Sequence, residues 1–212
     1  FSQTDGTVSL SGDLTVNQSF AQGTSGSASV AGTTLITDAS GGLVLGNLTM
    51  AGASTISSLG GAITQAAGTA IEAAGPATMM ARSVGPTPSV YDIVLDAANN
   101  DFQSTLTLIG NNITVNDKDD LDVDAEASGN ALIDAGGTLT ANLDVDGNSA
   151  LTSASDLSVS GNSQDLTTVT TGTNSTTNFG ATTVRGARDV TSTGTGGQTG
   201  AIKGAGTTTF DA

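Results

Sequence analysis

The sequence predicts an all-β fold, a parallel β-helix (β-solenoid) of about ten coils. A short phrase recurs along the chain: an aliphatic residue, one further residue, a second aliphatic, and then Gly or Asn within a few positions. It occurs as DLTV (13–16), NLTM (47–50), TLTL (105–108), NITV (112–115), DLDV (120–123), TLTA (138–141) and DLSV (156–159). In addition, the step from Leu121 to Leu139 equals the step from Leu139 to Leu157. Equal spacing of short strands is typical of a chain wound into stacked coils.

The composition favours a narrow core over a large one. The 212 residues include 29 Gly, five Phe and one Tyr, but no Trp, Cys or His. Large rings usually fill the centre of a sandwich or an α/β domain, whereas ladders of Ala, Val, Leu and Ile suit a solenoid. Disorder is the alternative, because the net charge is −15. A mean hydropathy of +0.06 and regular alternation of apolar and polar residues argue against it.

Residues 1–75 read as short strands separated by glycine-containing corners. Leu14 and Val16 alternate with polar neighbours, so we expect both to point inward. The Ala-rich segment 60–75 predicts two small coil sides, with a short helix as the alternative, since Gly68 interrupts it.

Residues 76–101 interrupt the pattern and contain all three prolines. Because proline cannot donate to a ladder, we expect an excursion from the coil, within which Tyr91, Ile93 and Leu95 alternate like a strand. Loops on rigid scaffolds often carry recognition, so Arg82 and Tyr91 are the candidate interaction residues. The alternative is a packed cover over one side, or a junction between two solenoid sections.

The pattern resumes after the excursion. The division predicted is therefore N-terminal coils (1–75), a proline-containing excursion or junction (76–101) and C-terminal coils (102–212). In the C-terminal coils the equally spaced leucines form one inward ladder. The residues expected to supply the other inward faces are Leu132, Leu143, Val145 and Leu151.

An acidic cluster gives a candidate metal site. Asp120, Asp122 and Asp124 point to one face if they lie on a strand, and Asp144 and Asp146 recur about one coil later. Stacked together they would repel, and a hard cation such as calcium would relieve the repulsion through oxygen ligands. The alternative is a solvated acidic face that discourages lateral aggregation.

Several functions are disfavoured by residue types. Without His or Cys, a His-assisted nucleophile and an ordinary zinc site are excluded. Only five basic residues oppose 20 acidic ones, which disfavours nucleic acid and anionic membranes as partners. No apolar run is long enough to insert into a membrane. Carboxylate chemistry on a polysaccharide stays as an alternative, and we expect no catalysis and no cofactor other than calcium.

Three segments resemble the repeats of bacterial secreted β-helix exoproteins: GGLVLGNLTMAG, GNALIDAGGTLTANLDVDGNSALTS and SASDLSVSGN. They are most similar to filamentous-haemagglutinin-like adhesins and giant β-strand-repeat surface proteins. The resemblance covers about three quarters of the chain, leaving out the proline segment. It implies a right-handed parallel β-helix with a role in adhesion or cell-surface structure, secreted or on a bacterial surface, with host or matrix glycans as candidate partners. It brings no catalytic residue.

Self-association is a second partner hypothesis. The chain starts at Phe1 without Met and stops without a recognisable cap, so we expect part of a longer protein or subunits joined head to tail. Residues 101–146 carry ten acids and one Lys, whereas Arg185, Arg188 and Lys203 lie near the other end. Such asymmetry favours an end-to-end contact, and a self-assembling filament or sheath subunit is the alternative function.

Overall fold

The computed structural model describes residues 1–39, 41–173, 175–192 and 202–203, and in these residues the chain is an all-β solenoid of about nine turns. The predicted fold class is confirmed, with about one turn fewer than expected. Every pairing between the described strands is parallel, and none of the described residues is helical, so no helix there is long and apolar enough to cross a membrane. In chain order the strands are β1 Ser2–Leu10, β2 Leu14–Val16, β3 Ala21–Val30, β4 Thr34–Asp38, β5 Leu43–Leu45, β6 Asn47–Met50, β7 Ser54–Ser58, β8 Ile63–Gln65, β9 Ile71–Ala73, β10 Ala77–Ala81, β11 Ile93–Leu95, β12 Asp101–Phe102, β13 Leu106–Gly110, β14 Ile113–Asp117, β15 Leu121–Ala127, β16 Ala131–Ala135, β17 Leu139–Val145, β18 Ser149–Ser153, β19 Leu157–Ser163, β20 Leu166–Thr170, β21 Thr177–Val184, β22 Arg188–Ser192 and β23 Ile202–Lys203.

The described strands form two sheets that face each other across the core. Sheet 1 has 13 strands, in the order β12-β9-β6-β3-β5-β8-β11-β14-β16-β18-β20-β22, with β1 paired to β3. Sheet 2 has ten, in the order β2-β4-β7-β10-β13-β15-β17-β19-β21-β23. From β14 onward each turn adds one strand to each sheet, whereas the earlier turns add two strands to sheet 1, because β3 pairs with both β5 and β6. Parallel strands of this kind are buried on the inward face.

The core consists of stacked aliphatic columns. In β17 every second residue is buried, and the register places Leu121, Leu139 and Leu157 in one inward column as predicted. Fully burying one such side chain contributes about 1.5–3 kcal/mol. Leu14 and Val16 are buried as expected, whereas the prediction for Leu132 is wrong. Its neighbours Ala131 and Ile133 take the inward positions, which leaves Leu132 48% exposed.

The N-terminal turns have a third side that the described part of the C-terminal turns lacks. It is built from the end of β3 and from β6, β9 and β12. Amide side chains fill the corner inside it: Gln65 Nε2 donates to Asn100 Oδ1 at 2.8 Å, and Asn100 Nδ2 donates to Gln65 Oε1 at 3.0 Å. The third side ends at β12, and the turns then become shorter. The residues that pair between successive turns show the difference in turn length. Ala77 pairs with Leu106, one three-sided turn later, whereas Leu106 pairs with Val123, one two-sided and much shorter turn later.

The proline segment is mostly part of the solenoid. Residues 77–81 pair with both neighbouring turns as β10, and 93–95 do the same as β11, so the excursion is 82–92 and not the whole of 76–101. The reason is that Pro76 lies just before β10, where no ladder N–H is required of it. Segment 60–75 forms the two short strands β8 and β9, as predicted, rather than a helix.

Candidate functional site

A column of asparagines stands at one corner of the solenoid, each just before a strand of sheet 1. The N–H of Asn130 donates to Asn112 Oδ1 at 3.0 Å, and the N–H of Asn148 donates to Asn130 Oδ1 at 2.9 Å. Below them, the N–H of Asn112 donates to Asp92 Oδ1 at 3.0 Å. This bond, with those from Asn111 and the Asn112 amide, holds the pKa of Asp92 below its ordinary value, although burial acts in the opposite direction. The column therefore satisfies corner N–H groups that ladder bonds do not reach.

Beside the asparagine column runs a groove of about 710 Å³ that crosses five turns. One wall is the column itself. The other is an outward row on sheet 1 in which Thr114, Leu132 and Ala150 stand in register on successive turns. Because the ladder bonds lock both rows, the groove is held by backbone and does not depend on mobile loops.

The charged residues of the groove lie at its C-terminal end. Asp165 accepts the N–H of Ala187 at 2.7 Å through Oδ1, so it caps the next corner. Arg188 points inward, in the column of Leu166, and its guanidinium carbon lies 4.9 Å from the Phe179 ring centroid. That distance is within cation–π range. The stretch of the groove from Asn112 to Ala150 is lined by neutral residues only.

The predicted calcium residues do not come together in one patch. The register sets Asp122 beside Thr140 and Asp124 beside Asn142, while Asp144 stacks on Glu126. The expected stacking of Asp122 and Asp124 on the later acids is therefore wrong, because β15 and β17 are aligned through Leu121 and Leu139.

Four of the five carboxylates have a hydrogen-bond donor or a basic group beside them, Asp124 accepting from Asn142 Nδ2 at 3.3 Å, whereas the fifth, Asp144, stacks on Glu126. Asp120 Oδ1 accepts the N–H of Thr138 at 2.7 Å, and Asp122 Oδ2 accepts the hydroxyl of Thr105 at 2.8 Å. Asp146 lies 3.8 Å from Arg185. Among the described residues, no group of three or more His, Cys, Asp or Glu is arranged to hold a metal ion.

Arg82 and Tyr91 lie at the base of the excursion. Arg82 forms an isolated antiparallel bridge with Val90, and its guanidinium is 3.8 Å from Glu126. The N–H of Tyr91 donates to Ala81 O at 2.8 Å, and Tyr91 O accepts from Asn111 at 2.7 Å. These two residues anchor the excursion (residues 82–92) to the solenoid. The exposed apolar side chain of the excursion is Val84, which is 79% exposed.

Sequence reasoning missed a buried polar cluster where the third side ends. Asp117 Oδ2 accepts the N–H of Phe102 at 2.8 Å, and its Oδ1 accepts the N–H of Asp119 at 2.9 Å. Burial, partly offset by these two bonds and reinforced by the Asp119 charge, raises the pKa of Asp117 to about 6. Alongside, Lys118 Nζ is 2.7 Å from Asp101 Oδ2, and Asp101 is only 6% exposed.

Both missed features had a signal in the sequence. Asn112, Asn130 and Asn148 recur with the same step as the inward leucines. Asp117 continues the inward alternation of Ile113 and Val115, which marks it as a buried acid at a strand end.

Comparison with known proteins supports a repeat architecture. A family model described as repeats of unknown function (DUF5649) matches residues 35–109, about a third of the chain. The matched segment contains most of the three-sided turns. No curated protein and no solved structure matches the chain. With the parallel stack of strands, the match makes this chain a repeat protein with a β-solenoid fold.

Proposed function

We propose that this solenoid is a structural and adhesive element of a protein that is secreted or displayed on a bacterial surface, and that it acts without catalysis. The carrying observation is the repetition of the same outward position on successive turns, as in the row through Thr114, Leu132 and Ala150. A surface that repeats along a rod suits a partner that also repeats.

The interior supports a scaffold role. Turns are joined by continuous ladders, and the inward columns are apolar along most of the rod, from Leu43 to Leu166. Such a stack is stiff, because each turn is bonded to the turns above and below it. A stiff rod projects a binding surface away from the point where it is attached.

The carboxylates support binding rather than turnover. A glycosidase needs two carboxyl groups facing one another about 5–9.5 Å apart across the substrate. The groove holds two carboxylates, Asp165, which is engaged by the N–H of Ala187, and Asp189, which stands beside Thr167 on the following turn. The buried acids Asp101 and Asp117 belong to the cluster at the end of the third side. The hydrogen bonds of Asp165, Asp101 and Asp117 are structural.

The second part of the proposal is that copies of the chain associate end to end. If this association continues from copy to copy, the protein is a subunit of a filament or sheath. Two of the basic residues from which an end-to-end contact was expected already have partners within the chain, since Arg185 pairs with Asp146 and Arg188 lies over Phe179. The side chain of Lys203 lies outside the described residues. An end contact therefore depends on strand edges more than on charge.

Adhesion is tested by coating beads with the purified chain and measuring their retention on bacterial, host-cell and extracellular-matrix surfaces, with uncoated beads as the control. Retention above the control supports the proposal, and its absence on all surfaces contradicts it. Negative-stain images of the same sample separate rods from filaments. The purified chain is also incubated with a panel of polysaccharides. Release of reducing ends would contradict the proposal and show that the protein is a polysaccharide-cleaving enzyme.

A further inference from the structure

We propose that the groove beside Asn112, Asn130 and Asn148 binds an extended, uncharged polysaccharide that runs along the solenoid axis. This inference rests on the proposed adhesive function and specifies its ligand class. It places the ligand on sheet 1, away from the acidic strands of sheet 2.

The asparagine wall offers hydrogen-bonding groups at regular intervals. Within the asparagine column, Asn130 Oδ1 accepts the N–H of Asn148. Among the described residues, Asn130 Nδ2 and both polar side-chain atoms of Asn148 make no hydrogen bond. Both residues are exposed. The bond from the N–H of Asn148 fixes Asn130 in place, so its amide is oriented before any ligand arrives.

The opposite wall offers apolar contact. Leu132 is 48% exposed and lies between Thr114 and Ala150 on the neighbouring turns. A sugar ring has aliphatic C–H faces and hydroxyl edges, so it can lie against Leu132 while its hydroxyls reach the asparagine amides and the Thr114 hydroxyl. Sugar hydroxyls both donate and accept hydrogen bonds, and the two walls of the groove offer both donors and acceptors, in the asparagine amides and the threonine hydroxyl.

The repeat distance favours a sugar chain over a peptide. Successive turns are about 4.8 Å apart, close to the length of one sugar residue in an extended chain, so about one sugar would meet each turn. A peptide strand advances about 3.3 Å per residue and repeats its side-chain direction every second residue, which does not fit this spacing. The strands beneath the groove are also paired on both sides, from β14 to β20, so they offer no edge for an added strand.

Charge excludes an acidic ligand. The chain carries a net charge of −15, and the groove residues from Asn112 to Ala150 are neutral. A polyuronate or sulfated glycan would meet a repulsive field with no basic row to offset it, because Arg188, which lines the C-terminal end of the groove, is only 7% exposed and lies over Phe179. An uncharged glycan avoids this repulsion.

The experiment is calorimetric titration of the whole chain with neutral β-1,4-linked hexasaccharides of glucose, xylose and mannose, and with hexagalacturonate. We expect saturable binding of at least one neutral sugar, tighter for the hexasaccharide than for its disaccharide, and none of hexagalacturonate. Leu132→Ala and Asn148→Ala should each weaken binding by at least about twofold and at most about tenfold, because each removes one contact among several. Neither side chain is buried or accepts a bond in the asparagine column, so the melting temperature should stay unchanged.

Leu35→Ala is the matched control, since Leu35 is an outward leucine on sheet 2 with 41% exposure. It should bind as the wild type does. The inference is overturned if no neutral hexasaccharide saturates the wild-type chain, if hexagalacturonate binds as well as the neutral sugars, or if Leu35→Ala weakens binding as much as Leu132→Ala. Retention of wild-type beads on cell surfaces without hexasaccharide binding would remove this inference and leave the adhesive function standing.

Discussion

The carboxylate of Asp117 accepts the backbone N–H of Phe102 at 2.8 Å, at the step where the third side of the solenoid ends. Phe102 lies in β12, the last strand of that side, so its N–H has no further strand above it. Next to this bond, the N–H of Lys118 donates to Asn100 O at 2.9 Å. Two consecutive residues of the following turn thus close an edge that would otherwise be open in the middle of the chain.

The first prediction concerns pH. Because the pKa of Asp117 is raised from 3.8 to about 6 in the folded state, the folded chain binds a proton more tightly than the unfolded chain between these values. Stability should therefore fall as pH rises from 4 to 6 and level off above, by at most about 3 kcal/mol from this group. Urea unfolding across this pH range measures it.

Two variants separate Asp117 from the general effect of net charge. Asp117→Asn should flatten the slope between pH 4 and 6, whereas Asp134→Asn, at an exposed position on sheet 1, should keep it. The carboxyls with lowered pKa, Asp13, Asp92 and Asp101, act in the opposite direction, and their contribution to stability is lost as pH falls below their ordinary pKa. An unchanged slope in Asp117→Asn would contradict the assignment.

The second prediction concerns the ion pair between the buried Asp101 and Lys118, whose side chain is 44% exposed. In Asp101, burial raises the pKa, but the bonds from Lys118 and Gln103 lower it further than burial raises it. Lys118→Met leaves the Asp101 charge buried without its partner, so the melting temperature should drop by several degrees. Arg185→Met removes an exposed pair with Asp146 at 3.8 Å and should change the melting temperature little. Equal effects would show that burial of Asp101 is unimportant.

The third prediction concerns the glycine before a corner asparagine. A Cβ on Gly147 would lie 2.6 Å from Asn130 Oδ1 and still closer to the backbone oxygen of Gly129, so Gly147→Ala should cost about 1–3 kcal/mol of unfolding free energy. Gly12→Ala is the control, because nothing lies within 4 Å of its Cβ position, and it should change stability by less than about 0.5 kcal/mol. Chemical denaturation of both variants decides whether the asparagine column constrains the corner.

The fourth prediction concerns calcium. Asp122 and Asp124 neighbour Thr140 and Asn142 on the next turn, and the acids that do stack, Glu126 and Asp144, are only two, so among the described residues no group of three acids is placed to hold a cation. We therefore expect the melting temperature to be the same in calcium as in a chelator. A rise in melting temperature with calcium, absent from Asp122→Asn, would restore the calcium site.

The alternation of residues 121–159 sufficed to predict the two-sided turns, because nearly every inward position there is a small aliphatic. The three-sided turns were not predictable in the same way. Their third side consists of strands as short as Ile71–Ala73, which are too brief to show a period. The predicted excursion was longer than the observed one. A proline identifies a single residue that cannot donate a backbone hydrogen bond, but it does not show how far the loop around it extends.

Among the candidate site residues, alternation predicted which acids face outward but not what lies beside them. That depends on register, and a shift of register changes every neighbour on the face. The groove was missed for the same reason: Asn148 and Leu132 belong to different turns, and only stacking of turns brings their walls together.

The sequence by itself determined the solenoid, its narrow aliphatic core and the equal step between its inward leucines, because inward positions must repeat wherever turns stack. Tertiary structure alone decided that the third side stops at Phe102, that Asp117 closes the edge, and that the asparagine column borders a groove. These depend on which residue of one turn lies above which residue of another. Since the step from Ala77 to Leu106 is much longer than the step from Leu106 to Val123, the ladder hydrogen bonds set that alignment, not distance along the chain.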